Sequence, residues 1–587
     1  LSRATRHLFA AVLLATLLLT LVGCDQDRPT PTPTSPPAPT VAPPKLPSNT
    51  PRPALATATP PPTPVSVPKG GTLTVRLLAD LNNFNPLLNV ADASAELVNS
   101  ALFNGLTRLD GSLQPQPDLA ESWQVSPDGL RLSFRLRQGV LWHDGQPLTA
   151  ADVIYTYEAW SRLPQTTRLQ AHLTAARVRV TTPDPAGLTV VFEMGQPYAP
   201  LLADLSTPIL PAHRLRDVPL EKLGSDPFAF QPVGTGPFKF ASHEVGQNII
   251  LTANPAYHLG APNLERLAFV VAPDERIAAQ AVRDGNLLYA SLNHEQAVSL
   301  QATAGITASL AFGSYPEDGY YFLAFNLRPG HLFSDYRLRR ALAYSLDRDA
   351  IVRQATAGQG LPLWSFALPN TWAYEPTTPR YGQNIGEAKR LLAEAGWQPG
   401  AGGGLQQGGK LLAFKLYLRA DDPTRRQAAN LIAAQAATLG ISVTVAAVDP
   451  NSVLSALLDP TRDPAFDFEA ILAGWGTLGY DFDPYPLLAS DQQPTAAAPG
   501  LLNYVGYNNA DFTARAAAAR REYDFAARKA QAADLQNTLA AELPYDPLWA
   551  AQYFTVASRK LAASDGTPLS LNSPNPLWNV ERWFISK

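Results

Sequence analysis

The chain has 587 residues, 46% of them hydrophobic and 16% charged, with a formal charge of −4. That length carries several domains and a large core. The charge and the absence of any Lys/Arg-dense tract exclude a nucleic-acid footprint, and the single cysteine, Cys24, excludes an intrachain disulfide and a cysteine-based metal site.

Arg3, Arg6 and His7 precede the apolar run Leu8 to Leu19, which closes on Leu21-Val22-Gly23-Cys24. The run is shorter than the ~20 residues of a spanning helix, so residues 1–23 are predicted to be a secretory signal. Leu-Val-Gly-Cys resembles the lipobox of bacterial lipoproteins, which implies lipidation of Cys24 and a membrane anchor there. Residues 24–68 are dominated by proline and threonine, as in Pro29-Thr30-Pro31-Thr32-Pro33-Thr34. Such a segment packs no core. At ~3.1 Å per residue in polyproline II, about 40 residues reach roughly 100 Å, so it is predicted to be an extended stalk.

Beyond Gly70-Gly71 the alternation of Thr72 to Leu77 predicts the first strand, followed by a helix over about Asp92 to Phe103. Leu109-Asp110-Gly111 and Pro127-Asp128-Gly129 are hairpin signals, the second leading into a strand that ends at Leu136. Thr149 is placed to cap a helix, with Asp152 at its third position. Leu264 to Val271 reads as a strand before a helix from Asp274 to Arg283. Farther on, the strand Tyr320 to Phe325 ends at Asn326. Leu412 to Leu418, a helix from about Thr424 to Leu439, and Ile441 to Val445 form a βαβ unit, hence a parallel pair. A last strand is predicted near Ala551 to Val556.

Several of these stretches form an ordered series. Pro117-Asp118-Leu119-Ala120-Glu121-Ser122-Trp123 is followed by Leu136-Arg137-Gln138-Gly139-Val140 and Leu148-Thr149-Ala150-Ala151-Asp152-Val153. Val233-Gly234-Thr235-Gly236-Pro237-Phe238, Asn254-Pro255-Ala256-Tyr257, Arg339-Arg340-Ala341-Leu342 and Glu394-Ala395-Gly396-Trp397 come next. Together they resemble the family 5 extracellular solute-binding proteins, the oligopeptide, dipeptide and nickel-type receptors of ABC importers. The resemblance implies a two-lobed α/β periplasmic-binding-protein-like fold of type II, with an extra subdomain in the first lobe and a hinge of two crossover segments. It places lobe I at 69–272, lobe II at 273–554 and a return to lobe I at 555–587. It further implies a monomeric, non-enzymatic receptor in the cell envelope that closes on a small-molecule or peptide ligand and delivers it to ABC permease subunits, with no cofactor and no resident metal. A sensor of a non-peptide solute (oligosaccharide, opine or metal chelate) and an extracytoplasmic hydrolase stand as alternatives. The hydrolase is disfavoured because the chain holds neither His-Glu-x-x-His nor Gly-x-Ser-x-Gly.

The site is expected where the apolar run Phe466 to Trp475 breaks into a loop ending at Asp481-Phe482-Asp483-Pro484. Trp475 suits a cleft wall, and Asp481, with Tyr480 beside it, is the candidate for a ligand ammonium in the manner of the family. It lies two residues before Asp483 where the family has three, two extra residues separate Trp475 from the Asp-Pro pair, and helix capping by Asp483 is the alternative. Asn326 is the candidate for a ligand backbone contact, or for capping the turn that follows. Trp372, like Trp364, suits either the cleft or the core. His143-Asp144-Gly145 reads as a turn before a dyad. Gly404 to Leu411 reads as a surface loop, because it lacks the hydroxyl residue after Lys410 and precedes a strand.

Overall fold

The computed structural model describes residues 67–89, 92–163, 168–184, 187–400, 402–476 and 481–586. Cys24, the expected signal, the expected stalk as far as Ser66, and Tyr480 lie outside these. Among the described residues no helix is long and apolar enough to cross a membrane.

Two lobes are built on one twelve-stranded sheet system that runs through the strand Tyr545–Ser558. In the first lobe, Thr72–Leu77 pairs in parallel with Arg266–Val271 and with Tyr289–Leu292. Hydrophobic alternation sends Leu73, Val75 and Leu77 into a core that also takes Trp142, Phe134 and Phe238. The extra subdomain is a four-stranded antiparallel sheet made of Ala120–Val125, Arg131–Leu136, Thr189–Glu193 and Arg179–Thr181. The helix Ala150–Arg162 accompanies it, and its start carries the expected capping box between Thr149 and Asp152. The hairpin after Leu109 is longer than expected. Its strands Thr107–Leu109 and Pro115–Pro117 are joined by five residues, because Asp110 accepts bonds from the amides of Ser112 and Gln114.

In the second lobe, Ala413–Arg419, the helix Pro423–Ala437 and Ser442–Val448 form the parallel βαβ unit. Tyr320–Phe325 pairs antiparallel with Ala470–Trp475 on one side and with Tyr545–Ser558 on the other. Strand periodicity divides these side chains between two cores. Leu323, Phe325, Ala470 and Leu472 face one, while Tyr320, Phe322, Ile471 and Tyr545 face the other, with Trp475 packed at its edge.

By strand pairing the division between lobes falls later than residue 272. Tyr289–Leu292 and Leu310–Pro316 both pair with the far end of Tyr545–Ser558, which lies beside the first-lobe sheet. The chain therefore crosses at Pro316 to Tyr320 and again inside Tyr545–Ser558. The two crossings are tied by the Glu317 amide donating to the Ala551 carbonyl at 2.8 Å. Gly319, at φ 153°, passes so near the second lobe that a Cβ would sit 2.4 Å from the Gly476 carbonyl oxygen. After Ser558 the chain returns to the first core through Leu561, Val580 and Trp583.

Candidate functional site

The C-terminal end of Ala470–Trp475 delivers Trp475 beside Tyr320, its direct partner across the antiparallel ladder. The indole stacks on Phe322 at 5.8 Å between centroids and lies about 6 Å from Tyr504. It is partly buried, and its Nε1 has no hydrogen-bond partner among the described residues. The aromatic rings packed around Trp475 come from distant segments.

Next to these rings a cavity of about 60 Å³ lies between Asp481 to Leu488 and the loop Phe366 to Thr371, with Tyr320 at its side. Its lining residues are apolar apart from Thr371, Tyr320, Asp481 and Asp483. Each carboxylate is held by an arginine: Asp481 Oδ2 takes Nη1 of Arg528 at 2.7 Å, and Asp483 lies 3.0 Å from Nε of Arg520. Burial pushes the Asp481 carboxyl up, with Arg528 opposing it.

Arg528 comes from the first turn of the helix Phe525–Glu542, whose start is fixed by Asp524 accepting from the Ala527 amide at 2.8 Å. It shares a buried stripe with Ala532, Leu535 and Leu539. Its guanidinium lies 5.1 Å over the Trp372 ring, and its Nε donates to the Ala519 carbonyl. Trp372 is thus 5% exposed, packed on Phe525, and supports the Asp481–Arg528 pair from behind. Trp364 similarly carries a guanidinium, that of Arg348, at 4.3 Å.

Arg520 joins the two lobes. Its carbonyl accepts from the Ala199 amide of the extra subdomain, and its guanidinium sits between the rings of Tyr198 and Tyr485, at 5.0 and 4.8 Å. Tyr523 adds a bridge, since its hydroxyl accepts from the Tyr198 amide at 3.1 Å and donates to the Gly129 carbonyl at 3.2 Å.

Asn326 does not reach the cavity. It is fully buried, its Nδ2 donates to the carbonyls of Phe466 and Phe468, and its Oδ1 accepts from the Arg328 amide. Its amide fixes the turn ahead of Ala470–Trp475, and its Oδ1 accepts within the turn that follows Phe325. Asp483 accepts from the Tyr485 amide at 3.2 Å, two residues on.

The other sequence features resolve as turns and close packing. His143 Nδ1 accepts from the Gly234 amide, and its Nε2 donates to the Gly236 carbonyl, so the ring serves the backbone and not Asp144. Gly234 and Gly236 serve close packing: a Cβ on Gly234 would fall 1.8 Å from the Leu102 carbonyl oxygen. Gly408-Gly409, both at positive φ, turn a short hairpin.

Arg528 and Arg520 were not singled out from sequence. The available signal for Arg528 was a cation at the first position of an otherwise small and apolar helical stripe, which requires a buried acid elsewhere.

The family model for bacterial extracellular solute-binding proteins, family 5, middle region, matches residues 114–497. The oligopeptide-binding protein AppA of Bacillus subtilis (strain 168) is 29% identical over 531 residues, which is 88% of this chain and 92% of the relative. Protein XP55 of Streptomyces lividans is 32% identical over 451 residues, 76% of this chain and 78% of the relative. Among solved structures, AppA from Bacillus subtilis in complex with a nonapeptide superposes with a TM-score of 0.58 at 27% identity, covering 89% of this chain and 100% of that one.

Proposed function

Because the chain belongs to the bacterial extracellular solute-binding proteins of family 5, we propose that it is an extracytoplasmic receptor that takes a peptide between its lobes and delivers it to an ABC importer. The observation that carries this reading is the extent of the match to an oligopeptide-binding relative. It covers 88% of this chain and 92% of the relative, more than either lobe alone contains, so the whole clamp is shared.

The physical logic is a population shift. A ligand that touches both lobes only when they are closed favours closure by its differential affinity for the two states. The crossings at Pro316 to Tyr320 and within Tyr545–Ser558 act as the hinge, and the permease reads the closed form. Trp475 and the cavity at Asp481 form the part of the ligand site carried by the second lobe, with Trp372 supporting it through Arg528. Lipidation of Cys24 holds a monomeric receptor at the outer face of the membrane on its stalk. No bond of the ligand is broken.

Native mass spectrometry of Ser66–Lys587, purified from peptide-rich medium, is expected to show a bound peptide released on unfolding. If no bound mass is found and a random pentapeptide library gives no thermal shift, the peptide reading fails; a ligand at ~100 times its Kd adds about 2.7 kcal/mol, which a melt resolves.

A further inference from the structure

The loop Arg520 to Asp524, between the second-lobe helices Ala510–Ala519 and Phe525–Glu542, reaches across to the extra subdomain. Tyr523 from this loop is partly buried against the first-lobe core. It sits at the hairpin turn of Gly129, whose φ is +70°. A Cβ there would lie 3.0 Å from Pro197 and 3.5 Å from Cε2 of Tyr523, so glycine leaves the space that the ring fills. The hydroxyl is used twice, accepting from the Tyr198 amide at 3.1 Å and donating to the Gly129 carbonyl at 3.2 Å. Arg520 adds a third bond, its carbonyl accepting from the Ala199 amide at 2.7 Å, and lays its guanidinium 5.0 Å over the Tyr198 ring.

Every partner in these contacts is an atom of the chain, so they hold whether or not a ligand lies between the lobes. Water replaces each hydrogen bond when the lobes part, so one bond favours the joined form by only about fivefold and three by about a hundredfold. The charged groups at the joint are Asp204 with His172 on the first lobe, and Asp481 with Arg528 and Asp483 with Arg520 on the second. Asp204 lies close enough to act on both Asp481 and Tyr198. That like-charge opposition favours parting, and the neutral contacts of Tyr523 work against it.

We propose that Tyr523 is a latch: seated in the extra subdomain, it holds the lobes closed by contacts of the chain alone and so sets how much of the receptor is competent to bind. This rests on the reading of two lobes that close, and gives the extra subdomain a part in that closure. Ligand affinity scales with the closed fraction, so the latch tunes affinity without touching the ligand.

The test needs no peptide. Ser66–Lys587 forms one compact unit that holds the cores described above and lacks the chain's one cysteine. Spin labels on Glu221→Cys and Ala434→Cys, exposed positions on the first and second lobes, let pulsed electron paramagnetic resonance read the interlobe distance in protein refolded free of ligand. The labelled parent should give one main distance. Tyr523→Phe, which keeps the ring and loses both hydroxyl bonds, should lower the closed-to-open ratio about tenfold and bring up a second, longer distance. Tyr523→Ala should lower it further. A lower melting temperature with unchanged distances in both variants shows a merely structural residue and overturns the latch. A parent found mainly at a long distance, which addition of the random pentapeptide library shortens, overturns it as well and leaves the receptor reading intact. Should Tyr523→Ala not fold, Tyr523→Phe decides.

Discussion

Replacing Arg348 by methionine tests how the second lobe holds the strand on which the crossing is built. Arg348 and Asp546 are 1% and 2% exposed at the side chain, with Nη2 to Oδ1 at 2.7 Å. The same guanidinium donates to the carbonyls of Leu363 and Pro547, so it fastens the loop leading to Phe366 onto Tyr545–Ser558. Burial already pushes the Asp546 carboxyl up against the pull of Arg348. In Arg348→Met that pull is gone, and the carboxyl escapes an unpaired buried charge by taking a proton. Holding a carboxyl of ordinary pKa ~3.9 protonated at pH 7 costs about 4 kcal/mol, which agrees with the ~3–5 kcal/mol seen when a buried pair loses one partner. At pH 5 the same cost is about 1.5 kcal/mol. The sign follows from linkage: the folded pKa is raised, so the folded state binds more protons and loses stability as pH rises through the window above the unfolded value. Urea unfolding of Ser66–Lys587 should therefore find Arg348→Met weakened more at pH 7 than at pH 5. The double variant Arg348→Met/Asp546→Asn should lose only ~1–2 kcal/mol at both. A loss under about 1 kcal/mol at pH 7, or one that grows as pH falls, refutes the reasoning.

Asn326→Ala should cost about 2–3 kcal/mol in urea unfolding, since it orphans the carbonyls of Phe466 and Phe468. Its effect on peptide affinity should stay within about twofold; a tenfold loss of affinity at unchanged stability would restore it to the ligand site. His143 is held neutral, its pKa lowered to about 4 mainly by burial, with Lys239 adding to the shift and the bond to Gly236 opposing it. The folded pKa is depressed below the usual ~6.5, so this stability is present above that value and lost as pH falls from about 6.5 to 4. The loss amounts to about 3 kcal/mol. His143→Gln should flatten that part of the urea-midpoint profile, and an unchanged slope would show that another group sets it.

Local structure was legible wherever local chemistry sufficed. Thr72–Leu77 and Tyr320–Phe325 match their predicted bounds, and Ala150–Arg162 begins where the capping box requires. Tyr545–Ser558 was read only near its middle, because Asp546 and Pro547 argue against a strand. The sheet accommodates them with a register shift between Tyr321 and Phe322, and Arg348 neutralises the acid from a helix far away in sequence. Asn326 was left open between two roles for a related reason. Its position at a strand end is visible in sequence, while the carbonyls that consume its amide belong to residues about 140 positions on.

The sequence by itself determined most of the elements and the family, because periodicity, caps and motif order are written in neighbouring residues. Tertiary structure alone decided the charge state of the candidate site. Whether Asp481 is a free carboxylate or one half of a pair depends on Arg528, 47 residues away on another element. Burial makes that one contact decisive, since removing water from a charge leaves only the partners the fold supplies.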